Sequence, residues 1–247
     1  MIGRFLEFSV YAPDVLAAVH HYERLGLRQL SVGEIWSHPY AVVSDGRAVI
    51  GLHAYEFDSP AVTFVLQSLR TKLPRLADQG IEFAFAKTGD DQFNEAGFVS
   101  PTGQMITLLE ARTYSPAAFD TPDVSDLGRF VELMVPCADV AAELRYWESI
   151  GLRSAGLRET PYAHAHLAGE DVTIGLHDAS VLPRRALRFA CAEPGRLAMR
   201  LDDADIPWTT LPTPPAGAEM AFSFTGPDKL PIVVHEAALG ADPARVG

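Results

Sequence analysis

Residues 4–28 read RFLEFSVYAPDVLAAVHHYERLGLR, and residues 129–153 repeat this stretch as RFVELMVPCADVAAELRYWESIGLR. The two copies align without a gap, and 11 of the 25 aligned positions are identical. Such self-similarity within one chain indicates a duplication, and it has to be settled before any other assignment of the fold. We therefore interpret the 247 residues as two similar halves joined in tandem.

Each copy has the pattern of a strand that leads into a helix. In the first copy, residues 5–11 predict a strand with one buried face. The buried face has Leu6, Phe8 and Val10, and the other face has Phe5, Glu7, Ser9 and Tyr11. Asp14 and Asp139 are placed to cap the helix that follows, because a short carboxylate accepts hydrogen bonds from the first free amides. Gly26 and Gly151 are placed to end the helix in a left-handed conformation.

The rest of the chain predicts four units of the same order, each a strand, a helix and three further strands (βαβββ). Residues 1–57 and 61–112 form the units of the first half, and residues 129–178 and 184–238 form those of the second half. Residues 113–128 are rich in Pro, Ser, Thr and Asp and have little periodicity, so we interpret them as a linker.

Composition limits the partners of this protein. The formal net charge of −12 and the pI of about 5.0 argue against nucleic acid, which needs a cationic surface. No apolar run approaches the ~18 residues of a membrane span, and the N-terminus lacks the apolar core of a signal peptide. The two cysteines, Cys137 and Cys191, are too few for a disulfide framework. We expect a cytoplasmic protein that binds a small molecule and neither nucleic acid nor a membrane.

The unit order, the repeated opening segment and the turns at residues 101–103 and 227–229 resemble the vicinal oxygen chelate superfamily. This superfamily includes glyoxalase I, extradiol ring-cleaving dioxygenases, and bleomycin- and fosfomycin-resistance proteins. The resemblance covers residues 4–112 and 129–237. It implies an α+β fold in which the four βαβββ modules pair into two glyoxalase-like domains with cup-shaped mixed sheets. It also implies that a homodimer is compatible with the architecture.

The resemblance further implies metal ligands on the inner face of each cup. The first-strand ligand falls on Glu7 in the first half and on Glu132 in the second half. The ligand on the last strand of the same unit falls on Gly51 and Gly175, which have no side chain to ligate. The remaining positions fall near residues 61–63 and 186–188, and on Thr107 and Val233. The ligand pattern of the superfamily is therefore incomplete in both halves.

Strand alternation offers a displaced ligand set, because residues two apart on a strand share a face. His53 and His177 lie two residues after the glycines, and His235 lies two residues after Val233. We predict a metal site made of Glu132, His177 and His235, with a weaker equivalent at Glu7 and His53. His164 and His166 are the predicted acid–base groups or alternative ligands, and Tyr162 and Met134 are the predicted cavity residues. Imidazole and carboxylate ligands suit iron, manganese, nickel or zinc.

Two functions fit these patterns. The first is a metal-dependent enzyme of the glyoxalase or extradiol dioxygenase type that acts on a small oxygenated or aromatic molecule. The alternative is a metal-free protein of the sequestration or resistance type, which would use no metal cofactor.

His20 and His21 lie on the first predicted helix, and we expect both at its surface.

Overall fold

The computed structural model describes residues 2–32, 37–111 and 125–237. Most of the expected linker, residues 113–128, lies outside these ranges. Its last four residues form a turn in which the Gly128 amide donates to the Ser125 carbonyl at 2.9 Å. The proposed domain boundaries therefore stay a prediction.

The first half contains two βαβββ units. Their elements are β1 (Arg4–Tyr11), α1 (Val15–Arg24), β2 (Arg28–Leu30), β3 (Tyr40–Ser44), β4 (Val49–His53), β5 (Ala61–Leu66), α2 (Leu69–Asp78), β6 (Phe83–Lys87), β7 (Glu95–Val99) and β8 (Met105–Glu110).

The second half repeats this order. Its elements are β9 (Arg129–Cys137), α3 (Val140–Ser149), β10 (Arg153–Ser154), β11 (His164–Ala168), β12 (Thr173–Asp178), β13 (Ala186–Cys191), α4 (Pro194–Asp203), β14 (Trp208–Thr210), β15 (Ala221–Thr225) and β16 (Pro231–Glu236).

In the described part of the chain, each half forms one eight-stranded mixed sheet. The strand order is β2-β3-β4-β1-β5-β8-β7-β6 in the first half and β10-β11-β12-β9-β13-β16-β15-β14 in the second half. The opening strands of the two units pair antiparallel at the centre, as β1 with β5 and β9 with β13. Each opening strand also pairs in parallel with the last strand of its own unit. The expected α+β class with two glyoxalase-like sheet domains is confirmed.

Local signals begin and end the helices as predicted. The Asp14 carboxylate accepts from the Ala17 amide, and the Asp139 carboxylate accepts from the Ala142 amide, both at 2.9 Å. Gly26 follows α1 with φ of +87°, a left-handed conformation that glycine adopts without strain. The α-helices in the described ranges have ten residues each. None of them is long and apolar enough to cross a membrane.

The two halves pack against each other through equivalent contacts. The Tyr22 hydroxyl on α1 donates to Asp228 at 2.6 Å, in the turn before β16. In the other direction, Glu143 on α3 accepts from the Thr102 amide at 3.0 Å, in the turn before β8. One continuous hydrophobic core contains buried residues of both halves. Each sheet therefore rests with its helix-covered face in this shared core.

Candidate functional site

The polar centre of the second half is Glu132, which lies on β9 and is fully buried. Its carboxylate contacts side chains from three other strands. Nδ1 of His166 lies 2.6 Å from Oε2, and Nε2 of His177 lies 3.0 Å from Oε1. Nη1 of Arg188, on β13, donates to Oε1 at 3.0 Å. We call Glu132, His166, His177, Arg188 and His235 the second-half site.

Two features of the backbone determine the position of the Glu132 carboxylate. Gly175 on β12 is opposite His166 on β11, and a Cβ added at Gly175 would overlap the carboxylate of Glu132. The register of β9 against β13 also shifts beside Glu132, which indicates a β-bulge that re-aims the neighbouring side chains. The glycine therefore leaves the space that the carboxylate fills.

Arg188 is a buried cation that bridges two of the predicted ligands. Besides Glu132, its Nε donates to Nδ1 of His235 at 3.3 Å, and its Nη2 donates to the Ala216 carbonyl at 3.0 Å. Its exposed fraction is 4%. Burial and, to a smaller extent, the charge of Arg188 lower the pKa of His235 to about 4. The His235 imidazole is therefore neutral at physiological pH and accepts the hydrogen bond from Arg188.

The protonation of Glu132 follows from the same contacts. Burial raises the pKa of Glu132, but hydrogen bonds from His166 and His177 and the positive charge of Arg188 outweigh it. The net result holds the pKa of Glu132 well below its usual range. Glu132 is therefore an ionised carboxylate inside the protein, which is stable there because it is paired and hydrogen-bonded.

Tyr162 connects the site to the loop of residues 211–220. Its hydroxyl lies 3.1 Å from Nδ1 of His177 and accepts from the Ala216 amide at 2.9 Å. Both ring nitrogens of His177 are thereby engaged, one by Glu132 and the other by Tyr162. The loop also contributes to a small apolar cluster on this face of the sheet. Its buried members are Met134, Tyr162, Leu182, Ala186, Ala216, Ala221 and Val233.

The two histidines of β11 differ in their surroundings. His164 is buried, and its Nδ1 lies 2.8 Å from the Tyr162 carbonyl oxygen. The side chain of His166 is 41% exposed, although its Nδ1 contacts the buried Glu132. Among the described residues, Nε2 of His166 has no hydrogen-bond partner. This nitrogen is therefore available to a molecule that approaches from solvent.

The first half has a related site with different chemistry. The Glu7 carboxylate accepts from the hydroxyls of Ser9 at 2.8 Å and Tyr40 at 2.5 Å, and it lies 2.8 Å from Nε2 of His53. A Cβ added at Gly51 would overlap this carboxylate, as at Gly175. Opposite Glu7, however, β5 has Thr63, whereas β13 has Arg188 opposite Glu132. The carboxylate, glycine and histidine are thus repeated, and the arginine is not.

The lone pairs of the predicted ligands are taken up by other groups of the protein. Glu132 and His235 both face the Arg188 guanidinium, and His177 is hydrogen-bonded at both nitrogens. Over residues 2–32, 37–111 and 125–237, no group of three or more His, Cys, Asp or Glu side chains is arranged to hold a metal. In this arrangement the donor set does not fit a metal ion. The assignment of Glu132, His177 and His235 as ligands, like that of Glu7 and His53, stays a prediction.

The structure brings most of the predicted site residues together. Glu132, His166 and His177 are in direct contact, and Tyr162 and Met134 lie in the adjacent apolar cluster. Among the described residues, His235 is linked to this group by its hydrogen bond from Arg188. Sequence reasoning missed the role of Arg188, although the expected ligand position near residues 186–188 includes it. Alternation places Arg188 on the same face of β13 as Ala186, which was a signal that could have found it.

Comparisons with known proteins identify the fold. No family model matches the sequence, and no curated protein matches it. A catechol 2,3-dioxygenase structure is similar with a TM-score of 0.59 and 16% identity, covering 95% of this chain and 89% of that chain. The 2,3-dioxygenase LapB from Pseudomonas sp. KL28 has a TM-score of 0.59 and 13% identity, covering 95% of this chain and 92% of that chain.

A Mn(II)-bound glyoxalase from Novosphingobium aromaticivorans is also similar. Its TM-score is 0.58 at 13% identity, and the match covers 96% of this chain and 84% of that chain. The TM-scores establish the fold, and identities this low leave the activity to be argued from the site. The chain has the two-domain vicinal oxygen chelate fold.

Proposed function

We propose that the protein is an enzyme that moves a proton on a small oxygenated molecule, with His166 as the acid–base group. One observation supports this proposal above the others. His166 is hydrogen-bonded through Nδ1 to the buried Glu132, while its ring is 41% exposed. A carboxylate that accepts from Nδ1–H fixes the imidazole tautomer whose Nε2 carries a lone pair. Nε2 can then accept a proton from the ligand and return it.

Glu132 is suited to the supporting role. It stays ionised at physiological pH, as its lowered pKa indicates, and it stabilises the imidazolium that forms when His166 takes up a proton. Arg188 donates to the same carboxylate at 3.0 Å, so His166 and Arg188 share Glu132 as a partner. No step of this chemistry requires a metal.

The surroundings of His166 support the proposed ligand class. Met134 and Tyr162 belong to the apolar cluster on the same face of the sheet, which suits a small organic molecule. The similar structures are named as catechol dioxygenases and as a glyoxalase. These names support a small oxygenated molecule as the substrate.

Proton exchange in deuterated water tests the proposal. We expect hemithioacetals or α-hydroxyketones to exchange a carbon-bound proton in the presence of the protein and a chelator, as followed by NMR. His166→Ala should reduce this exchange by about 100-fold or more, the usual contribution of a general acid–base group. His20→Ala is the matched control, because His20 is an exposed histidine on α1. Full exchange activity in His166→Ala would contradict the proposal.

A metal-dependent enzyme of the glyoxalase or extradiol dioxygenase type is the second candidate. The clustering of Glu132, His166 and His177 and the Mn(II)-bound glyoxalase among the similar structures favour it. Elemental analysis of protein purified without chelator separates the two. Near-stoichiometric iron, manganese, nickel or zinc that is lost in His177→Ala would favour the metal enzyme.

A metal-free sequestration protein would instead show ligand-induced stabilisation that is insensitive to chelator, without proton exchange.

A further inference from the structure

We infer that the guanidinium of Arg188 occupies the position that a metal ion held by Glu132 and His235 would take. The second half thereby carries a built-in organic cation in place of a metal. Nη1 of Arg188 lies 3.0 Å from Oε1 of Glu132, and Nε lies 3.3 Å from Nδ1 of His235. The guanidinium therefore lies between two of the three predicted ligands, and it occupies the lone pairs that a metal would need.

Arg188 keeps its positive charge, whereas another basic side chain could lose a proton and leave its position to a metal ion. Arginine does not deprotonate in proteins, so a divalent cation entering this site would meet a fixed positive charge. Nη2 also donates to the Ala216 carbonyl at 3.0 Å, and the side chain is 4% exposed. The guanidinium thus donates to three groups on separate parts of the chain, namely Glu132, Ala216 and His235.

The first half provides an internal comparison. Glu7, Gly51 and His53 repeat the arrangement of Glu132, Gly175 and His177, but the residue opposite Glu7 is Thr63. Among the described residues, Glu7 accepts from hydroxyl groups and from His53, and no arginine contacts it. The two halves of the duplication thus differ in whether the opposing residue on the central strand pair is a cation.

This inference does not depend on the proton-transfer proposal, because its test measures bound metal rather than activity. The unmodified protein and its Arg188→His and Arg188→Lys variants are stripped with chelator and dialysed against ZnCl₂ or MnCl₂. Metal content is then determined by elemental analysis, and zinc-induced changes in Tm are measured. We expect Arg188→His to bind about one more zinc ion per chain than Arg188→Lys or the unmodified protein, with a rise in Tm on zinc addition.

Two results would overturn the inference. One is a folded Arg188→His variant that binds no more metal than Arg188→Lys. The other is stoichiometric metal in the unmodified protein that disappears in His235→Ala, since the metal would then share the site with Arg188. If Arg188→His does not fold, the comparison of metal content between the unmodified protein and His235→Ala tests the inference. No uptake by the unmodified protein, or uptake that His235→Ala leaves unchanged, agrees with a site filled by the guanidinium.

Discussion

Glu132 and Arg188 form an ion pair inside the protein, with exposed fractions of 0% and 4%. Taking two charges out of water is unfavourable, and their attraction together with hydrogen bonds to neighbouring groups offsets that desolvation. These hydrogen bonds are present on both sides of the pair. Glu132 has three of them, and Arg188 also contacts His235 and Ala216. The pair is therefore sensitive to the loss of one partner.

Arg188→Met tests this sensitivity. We expect it to lower the free energy of unfolding by about 3–5 kcal/mol, because Glu132 would be left as an uncompensated buried charge. The double variant Arg188→Met with Glu132→Gln should recover part of the loss. Urea denaturation monitored by circular dichroism provides the measurement.

Arg185→Met is the control for this prediction. Arg185 is partly exposed, pairs with the exposed Asp58 at 3.0 Å and donates to the Gly103 carbonyl at 2.7 Å. Ion pairs that reach solvent contribute roughly 0–1 kcal/mol, so we expect a smaller loss than for Arg188→Met. If Arg188→Met and Arg185→Met lowered the free energy of unfolding equally, burial would not be the reason for the sensitivity of the Glu132–Arg188 pair.

His21 differs from its predicted position. It was expected at the helix surface, but its exposed fraction is 2% and its ring packs against Phe224 of the other half, with centroids 6.3 Å apart. Among the described residues, its Nε2 is a buried nitrogen without a hydrogen-bond partner. Burial lowers the pKa of His21 to about 4, and Arg24 contributes in the same direction. Sequence periodicity on α1 could not reveal this, because the covering surface belongs to the second half.

The lowered pKa of His21 predicts a dependence of stability on pH. Between pH 6.5 and about 4 the unfolded chain binds a proton that the folded chain does not, so stability is lost as pH falls through this range. The full effect is on the order of 3 kcal/mol for one group. His21→Leu should lose less stability than the unmodified protein between pH 7 and pH 4.5, as measured by urea denaturation. An unchanged pH slope in His21→Leu, or the same change in the exposed-site variant His20→Leu, would show that His21 is not the cause.

At the scale of the elements, the glycines of β4 and β12 set the space for the carboxylates of the neighbouring strands. Glu132 lies over Gly175, and Glu7 lies over Gly51. Strands with glycine inside them lose packing and gain flexibility, so such a position usually marks a close approach of another group. Here the approaching group is a buried carboxylate in both halves.

Gly175→Ala tests this arrangement. The added Cβ would overlap Glu132 and come within 2.6 Å of Nε2 of His177. We expect a loss of about 2 kcal/mol or more, because the buried charge network has to shift. The variant should be compared with the unmodified protein by thermal unfolding.

Gly195→Ala on α4 is the matched control. Apart from its chain neighbours and the backbone of its own helix, no heavy atom lies within 4 Å of a Cβ added there, so alanine should be neutral or stabilising by about 0.5–1 kcal/mol. A Gly175→Ala protein as stable as Gly195→Ala would contradict the proposed packing of Glu132 over Gly175.

At the scale of the whole molecule, the halves are joined by a shared core and by reciprocal hydrogen bonds. The first helix of each half contacts the turn before the last strand of the other half, through Tyr22 with Asp228 and through Glu143 with Thr102. Glu143 also accepts from the Trp147 indole at 2.7 Å. We therefore expect the two halves to unfold together.

Calorimetry of Tyr22→Phe checks this expectation. Removing the hydroxyl deprives the buried Asp228 of a partner and should cost about 1–3 kcal/mol. The unfolding endotherm should move to lower temperature as a single transition. Two separate transitions, of which only one moves, would show that the halves unfold independently. Tyr55→Phe is the control, since Tyr55 is 65% exposed.

The sequence by itself determined the duplication, the order of elements and the faces of the strands, except at the register shift of β1, where Phe5 lies in the core instead of on the face of Glu7. These features depend on local patterns: the repeated segment, the Asp14 and Asp139 caps, and the alternation that places Glu132, His166 and His177 on one face. Such signals act over a few residues, so they can be read without knowing what packs against them.

The tertiary structure alone decided what those faces contact. Arg188 meets Glu132 across a separation of 56 residues, and the loop of residues 211–220 delivers Ala216 to both Arg188 and Tyr162. Alternation fixes the face of a strand, but strand pairing and register determine which residue lies opposite. For the same reason the burial of His21 depends on the packing of two halves that are distant in sequence. The chemistry of the site, a carboxylate paired with a guanidinium, is therefore a property of the assembled sheets.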